Sequence, residues 1–530
     1  MRPGILLIII SCALPMLGQT AYAQKLDSLL RFYQKENLFN GSVLISKNNK
    51  ILINKGFGYR DAEAGQPNAP NTIFQIYSIT KTFTATVILK LVEEKKISLD
   101  DKLSKFYPDF PNGESITIEN LLTHTSGVYD YTRGNTMTDQ TEKTFIEFVK
   151  SRPLDFMPGT DWRYSNSGYY LLGYIIEKVT SMAYENAVAR YILEPLQMDN
   201  SGFAFKYLKS PNKAKGYEIL EGEETKASII YEPPGPFAAG GIYSTVEDLY
   251  KYYNGLKNYS ILSKSTLDKA YTANPYNYGY GWVVMPQFGK NTVGHSGSGA
   301  GFKSQFIQIP EDDVCIVLLS NCEKDLNNIV GNILKVLNNQ PYKIPKVIEL
   351  KQDEMKAYEG AYLVDNHFVL YVYRDKQKLV IQPSNQQKSI LYPEKQSSFY
   401  VEELNTNICF AGKRSSYDTL AYIHDGKLIK GIRINPSWGI TGSAIPNGWE
   451  GPDVKLIKKG HKNIWLIEKI QLKEGEFKFR FNDDWTINLG KAEKGKLIQD
   501  GENIRITGGV YNICLDLSKS GKAKFSLDKL

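Results

Sequence analysis

A serine and a lysine three residues apart, at the head of an apolar helix, constrain this chain more than any other feature. The stretch is Phe74-Gln-Ile-Tyr-Ser78-Ile-Thr-Lys81-Thr-Phe-Thr-Ala-Thr-Val-Ile-Leu-Lys-Leu-Val92. From Phe83 onward the apolar residues recur densely enough to predict a largely buried helix, with Ser78 and Thr80 where it begins. Residues i and i+3 share a helix face, so the Lys81 ammonium is expected within reach of the Ser78 hydroxyl. A serine hydroxyl is a weak nucleophile until a base withdraws its proton, and a lysine desolvated by that helix can serve as the base. The same Ser-x-x-Lys spacing occurs at Ser210/Lys213 and Ser526/Lys529, but neither opens such a helix. Two further polar clusters follow Ser78 in order, Tyr164-Ser-Asn166 and His295-Ser-Gly297.

At 530 residues the chain exceeds one compact core, which predicts two or three domains. A 42% hydrophobic and 23% charged composition excludes wholesale disorder, and a dispersed net charge of +7 argues against nucleic-acid binding. Residues 1–23 read as a secretory signal: Arg2 is the basic end, Gly4–Leu17 the apolar run, and Ala21-Tyr22-Ala23 the small-residue cleavage site. Export to the periplasm or cell envelope is the expectation. Cys315, Cys322, Cys409 and Cys514 show no framework spacing, and no Cys/His group has metal-ligand spacing, so neither metal nor cofactor is expected.

In order along the chain, residues 25–38 predict a short helix, then two strands, 41–46 and 51–59, flank a Lys-Asn-Asn-Lys turn. Residues 116–127 predict a second helix stopping at Gly127. His124 and Ser126 within it are weighed as catalytic candidates and read as polar groups packing a helix end. Tyr164 and Asn166, one residue apart in a turn-rich segment, can face the same side: a phenol able to relay protons and an amide able to hold a carbonyl or orient a lysine. Ala239-Gly-Gly-Ile-Tyr-Ser-Thr245 reads as a structural turn with an N-cap, not a phosphate loop. The small residues of Gly289–Phe302 suit a strand approached closely by substrate, with Ser296, Gly297 and Ser298 beside it and the amides of Ser78 and Ser298 aimed at a developing oxyanion.

Ser78-Ile-Thr-Lys81, Tyr164-Ser-Asn166 and His295-Ser-Gly297, in that order behind a signal peptide, resemble the serine β-lactamase and penicillin-binding superfamily. The branch in view holds class C β-lactamases, D-alanyl-D-alanine carboxypeptidases, D-aminopeptidases and esterases; Leu121-Leu-Thr-His-Thr-Ser-Gly127 also resembles a stretch of that branch. The resemblance implies an α/β (α+β) domain over 24–342, an antiparallel sheet with an inserted helical subdomain. It also implies Ser78 as the acylated nucleophile, Lys81 and Tyr164 as the proton-transfer pair, Asn166 as the orienting residue, and His295 as the third-motif residue. Histidine replaces the lysine usual at that third position; it is only partly charged near neutral pH, which points away from β-lactams toward D-amino-acid peptides, amides or esters, with peptidoglycan as a candidate source. A weak class C-like β-lactamase and a non-catalytic peptide or β-lactam sensor are the alternatives.

Residues 350–440 and 450–530 predict two all-β C-terminal domains of short alternating strands. The first resembles lipocalin-like appendages of such hydrolases, the second the β-sandwich modules of starch-utilisation lipoproteins. That second resemblance implies glycan or protein contact, with Trp485 a sugar-stacking candidate set against a place in the core.

Overall fold

The computed structural model describes all residues except 1–7, 134–140, 222–223, 231–235, 365–367, 384–385, 387, 414–415, 460–462, 493–495 and 519–522. It divides into two compact units, Met1–Pro341 and Tyr342–Leu530.

The first unit is built on a six-stranded antiparallel sheet of β1 (Gly41–Lys47), β2 (Lys50–Phe57), β3 (Val283–Gln287), β4 (Lys290–Gly299), β5 (Phe302–Ile309) and β6 (Val314–Ser320), in the order β2-β1-β6-β5-β4-β3. The β1–β2 hairpin turns at Asn48 and Asn49, both at positive φ, the conformation a tight right-twisting hairpin demands. Strand β1 pairs with β6 from Gly41↔Ser320 to Lys47↔Val314, so the ends of the unit close the sheet and everything between β2 and β3 is inserted. All of β6 and all but the last residue of β1 are buried, which requires cover on both faces. The helix Ile8–Lys35 contributes Leu26, Leu29, Leu30 and Tyr33, a one-face spacing, and packs on β2 and on the helix Asn327–Leu337. Its last turns are the helix expected over 25–38; the element starts well upstream of that expectation. Among the described residues no helix is long and apolar enough to cross a membrane.

The inserted segment is mainly helical, with short two-stranded sheets, and centres on Thr80–Glu93, which buries eleven of its fourteen residues. Its buried threonines are satisfied in place: Thr82 donates to the Ile79 carbonyl at 2.8 Å, Thr84 to the Ala238 carbonyl at 2.7 Å, and Thr86 bonds the Tyr252 hydroxyl at 2.7 Å. Helix Asn166–Thr180 packs beside it, started by Ser165, whose hydroxyl accepts from the Gly168 amide. The helix expected to run to Gly127 is shorter, Ile118–Leu122. A Thr117/Asn120 capping box starts it, and His124, in the left-handed region at φ 61°, turns the chain out of helical geometry before Gly127 is reached.

Apart from the one-turn helix Gln352–Met355, the regular structure among the described residues of the second unit is all β. Nine strands between Gly360 and Ile434 form one antiparallel sheet whose first strand, Gly360–Val364, pairs with its last, Lys427–Ile434. Its two edges, Ser389–Ile390 and Tyr392–Lys395, are separated in sequence by Leu391 alone. Aromatics including Tyr358, Tyr362, Phe399, Phe410 and Tyr417 fill its core. From Trp438 to Lys529 a six-stranded and a four-stranded sheet enclose a second core containing Trp438, Trp465, Phe477 and Phe479. The four cysteines Cys315, Cys322, Cys409 and Cys514 are free thiols.

Candidate active site

Ser78 lies in a 3-10 turn, Tyr77–Ile79, that leads directly into the buried helix. The turn is strained: Tyr77 holds φ 45°, a conformation a bulky residue keeps only when its surroundings enforce it. They do so on three sides. The Ile76 amide donates to the Ile242 carbonyl at 3.1 Å, the Ile76 carbonyl accepts from Ser304 Oγ at 2.8 Å, and the Tyr77 hydroxyl bonds Gln75 Oε1 and the Ala300 carbonyl at 3.2 Å. Ser78 stays half-buried at the surface of this turn.

The turn lies against β4, and glycine permits the approach. A Cβ at Gly297 would sit 2.0 Å from the Ile76 carbonyl oxygen and 2.3 Å from Ser304 Oγ, and one at Gly299 would sit 2.2 Å from the Tyr77 ring. Gly297→Ala is therefore expected to push the nucleophile turn off the strand. Stability should fall by about 1–3 kcal/mol, as for an overpacked contact, and Ser78 should react with a fluorophosphonate at least tenfold more slowly. Denaturant melts and labelling rates measure both.

Lys81 is fully buried, and its Nζ sits 3.1 Å from Ser78 Oγ, 2.8 Å from Asn166 Oδ1 and 2.7 Å from the Ala239 carbonyl oxygen. Burial pulls its pKa from 10.5 down to about 7, against an upward pull from the Asp130 carboxylate. Asp130 also settles the orientation of Asn166: the Asn166 backbone amide and Nδ2 donate to the same Asp130 oxygen at 3.0 and 3.1 Å, which turns Oδ1 toward the lysine. The other Asp130 oxygen accepts from the amide and hydroxyl of Thr132, both at 2.8 Å.

The hydrogen-bond inventory then sets the direction of the lysine lone pair. Ala239 O and Asn166 Oδ1 can only accept, so they take both N–H groups of a neutral amine. The lone pair is left facing the Ser78 hydroxyl. Tyr164 hydrogen-bonds Ser78 through its own hydroxyl, and the Lys81 Nζ lies 4.9 Å from its ring centroid. Burial pushes the Tyr164 phenol well above its ordinary value, so it stands as a neutral phenol and not as the phenolate that a nearby cation would favour.

His295 is buried on β4, bonded through Nε2 to the Tyr278 hydroxyl at 3.1 Å and through Nδ1 to the Ser296 carbonyl at 2.7 Å. Desolvation, with Lys81 near, holds its pKa down to about 3, so the imidazole is uncharged at any physiological pH. Along β4 the buried positions His295 and Gly297 alternate with the exposed positions Ser296 and Ser298, and the Ser298 hydroxyl accepts from Lys303 Nζ at 2.5 Å. The side chains of Ser296 and Ser298 thus lie on the strand face opposite His295 and Gly297. Among the described residues, strand β4 pairs with β3 only over Lys290–Gly294, so His295–Gly299 pairs in this sheet through β5 alone.

Ser78, Lys81, Tyr164 and Asn166 are brought into one hydrogen-bonded group, with His295 beside it: the His295 and Tyr164 ring centroids are 6.2 Å apart. Sequence reasoning missed Asp130, the Ala239 carbonyl and Tyr278. Trp485 is not a core residue; it is 44% exposed, with its ring 5.9 Å from that of Trp449 and the Arg480 guanidinium 4.8 Å from its centroid.

An inserted helical segment on an antiparallel sheet, with a desolvated lysine set against a serine on a strained turn, is the arrangement of an active-site-serine hydrolase class. The family profile described as Beta-lactamase matches residues 26–336, and the chain belongs to that family, within the wider β-lactamase and penicillin-binding protein superfamily. It is similar to penicillin-binding protein 4* of Bacillus subtilis, 27% identical over 448 residues, covering 77% of this chain and 98% of that protein. Among solved structures it is similar to the octameric penicillin-binding protein homologue from Pyrococcus abyssi (TM-score 0.56, 29% identity, 77% of this chain and 99% of that one). Each of these matches covers more than the 341 of 530 residues in the first unit, so each continues into the second. The D-amino acid amidase from Ochrobactrum anthropi shares the fold (TM-score 0.54, 23% identity, 60% of this chain and 99% of that one).

Proposed function

We propose that the protein is an exported serine hydrolase that forms an acyl-enzyme at Ser78 on amides, short peptides or esters of D-amino acids. The observation that carries this reading is the Lys81 amine: fully buried, brought to a pKa of about 7, and 3.1 Å from Ser78 Oγ. Neutral Lys81 takes the Ser78 proton as Oγ bonds to the substrate carbonyl carbon. The carbonyl π pair moves onto oxygen, where the Ser78 and Ser298 amides receive it. As the tetrahedral intermediate collapses, the C–N or C–O bond breaks. Tyr164 gives its proton to the leaving amine and is reprotonated from Lys81. Water then attacks the ester carbonyl carbon, losing its proton to Lys81; the bond from that carbon to Ser78 Oγ breaks, and Oγ takes the proton back from Lys81.

The substrate class follows from the third motif. A neutral His295 supplies no fixed positive charge for a substrate carboxylate, which favours amides and esters over penicillins and free peptide C-termini. The open edge of His295–Gly299 offers backbone pairing to an extended substrate. Arg2, the Gly4–Leu17 run and Ala21-Tyr22-Ala23 support export.

The test is intact mass spectrometry with a fluorophosphonate and with benzylpenicillin, beside turnover of D-amino-acid amides, D-Ala-D-Ala peptides and p-nitrophenyl esters. Labelling of Ser78 together with turnover of a D-amide or ester is expected. A protein that is acylated and never released would be a sensor, and one that neither labels nor turns over would have no catalytic role at this site.

A further inference from the structure

We propose that His124 is a positioning residue, a clamp that grips the chain on both sides of Tyr164 and thereby aims its phenol at the leaving group. The Arg163 amide donates to the His124 carbonyl oxygen at 3.1 Å, and the Ser165 amide donates to His124 Nδ1 at 3.1 Å. One residue, held at φ 61° and buried to 1% exposure, therefore ties down the backbone amides of the residues on either side of Tyr164. The ring completes the grip, its centroid 4.4 Å from that of Tyr164, 4.6 Å from Tyr278 and 5.2 Å from Tyr169. Tyr278 in turn bonds His295, so the clamp also joins the second polar cluster to the third.

The tautomer is fixed by the partner. A backbone amide can only donate, so Nδ1 must be the unprotonated nitrogen and the proton must sit on Nε2, which is buried and has no hydrogen-bonding partner among the described residues. A protonated ring would set N–H against N–H and release Ser165. Burial, with Lys81 and His295 close by, keeps the ring neutral and the acceptor available. The left-handed backbone is part of the device, because it lets the carbonyl and side chain of one residue reach amides two positions apart.

This inference rests on the role given above to Tyr164 as proton donor, and the experiment separates the two. An amide leaves as an amine and needs a proton, whereas p-nitrophenolate and fluoride leave without one. His124→Ala is thus expected to lower kcat on a D-amino-acid amide by about 10²-fold, the scale of a general-acid contribution. KM should be little altered, and p-nitrophenyl ester turnover and fluorophosphonate labelling should stay within about fivefold. His124→Asn places an acceptor oxygen near the Nδ1 position and tolerates positive φ, so it should restore most amide turnover. Should the alanine variant not fold, His124→Gln fills the space with the acceptor displaced and should repeat its pattern. Equal losses on amide and ester, or no rescue by asparagine, would overturn the clamp. A wild-type protein inert to every substrate would instead overturn the hydrolase reading beneath it.

Discussion

Replacing Ser78 by alanine is expected to abolish turnover of every substrate, a loss on the order of 10⁴–10⁶-fold, while leaving the fold intact. The size follows from the chemistry: without Oγ no acyl-enzyme forms, and only positioned water remains to attack. The fold survives because Ser78 is half-buried and the strained turn is held by Ile76, Tyr77 and Ser304, not by the hydroxyl. Removing Oγ leaves Lys81 with its other two partners, Asn166 and Ala239, so the change in stability should stay within about 1 kcal/mol. Activity assays paired with chemical denaturation decide the matter. Undiminished activity in this variant would remove Ser78 from the mechanism.

Lys81→Met is the second large effect. Methionine keeps the apolar stem and deletes the base, and kcat/KM should fall by about 10³-fold or more. In the wild-type protein the amine must be neutral to act, so kcat/KM should rise with pH through a midpoint near 7 and fall below it. His295, at about 3, adds no limb in that range. Stability carries the same signature. Between about pH 7 and 10.5 the unfolded chain holds a proton on Lys81 that the folded chain has released, so unfolding free energy rises with pH by up to about 1.4 kcal/mol per unit on this group's account. Below pH 7 both states hold the proton and the slope vanishes. Subtracting the Lys81→Met denaturation series from the wild-type series isolates this term. A flat difference, or an acid limb centred near the ordinary lysine value, would show that Lys81 is not desolvated as described.

The site residues that were legible in sequence share a property: their relation is local. Ser78 and Lys81 are set by one turn of chain, and Tyr164 and Asn166 by one intervening residue. Asp130, which turns the Asn166 amide toward the lysine, lies 36 residues upstream of it, and the Ala239 carbonyl lies 158 residues beyond Lys81. No short spacing announces either. Ser296 and Ser298 show the converse, because two-residue strand alternation already placed their side chains on the face away from His295 and Gly297. His124 was visible in its Thr-His-Thr-Ser-Gly setting, but its reading as helix-end packing missed the second bond, from Ser165.

What the sequence determined by itself was the order of the three polar clusters, the buried helix behind Ser78, the hairpin before it, and a β-rich second half. These follow from periodicity and turn chemistry, which act over a few residues. What only the tertiary structure decided was the charge state of the site. Lysine, tyrosine and histidine take their protonation from the water removed around them: the same burial makes Lys81 a base near neutrality, keeps Tyr164 a phenol and leaves His295 uncharged. Desolvation depends on every segment packed around a group, and those segments meet only when β1 pairs with β6 and the inserted helices close over the serine.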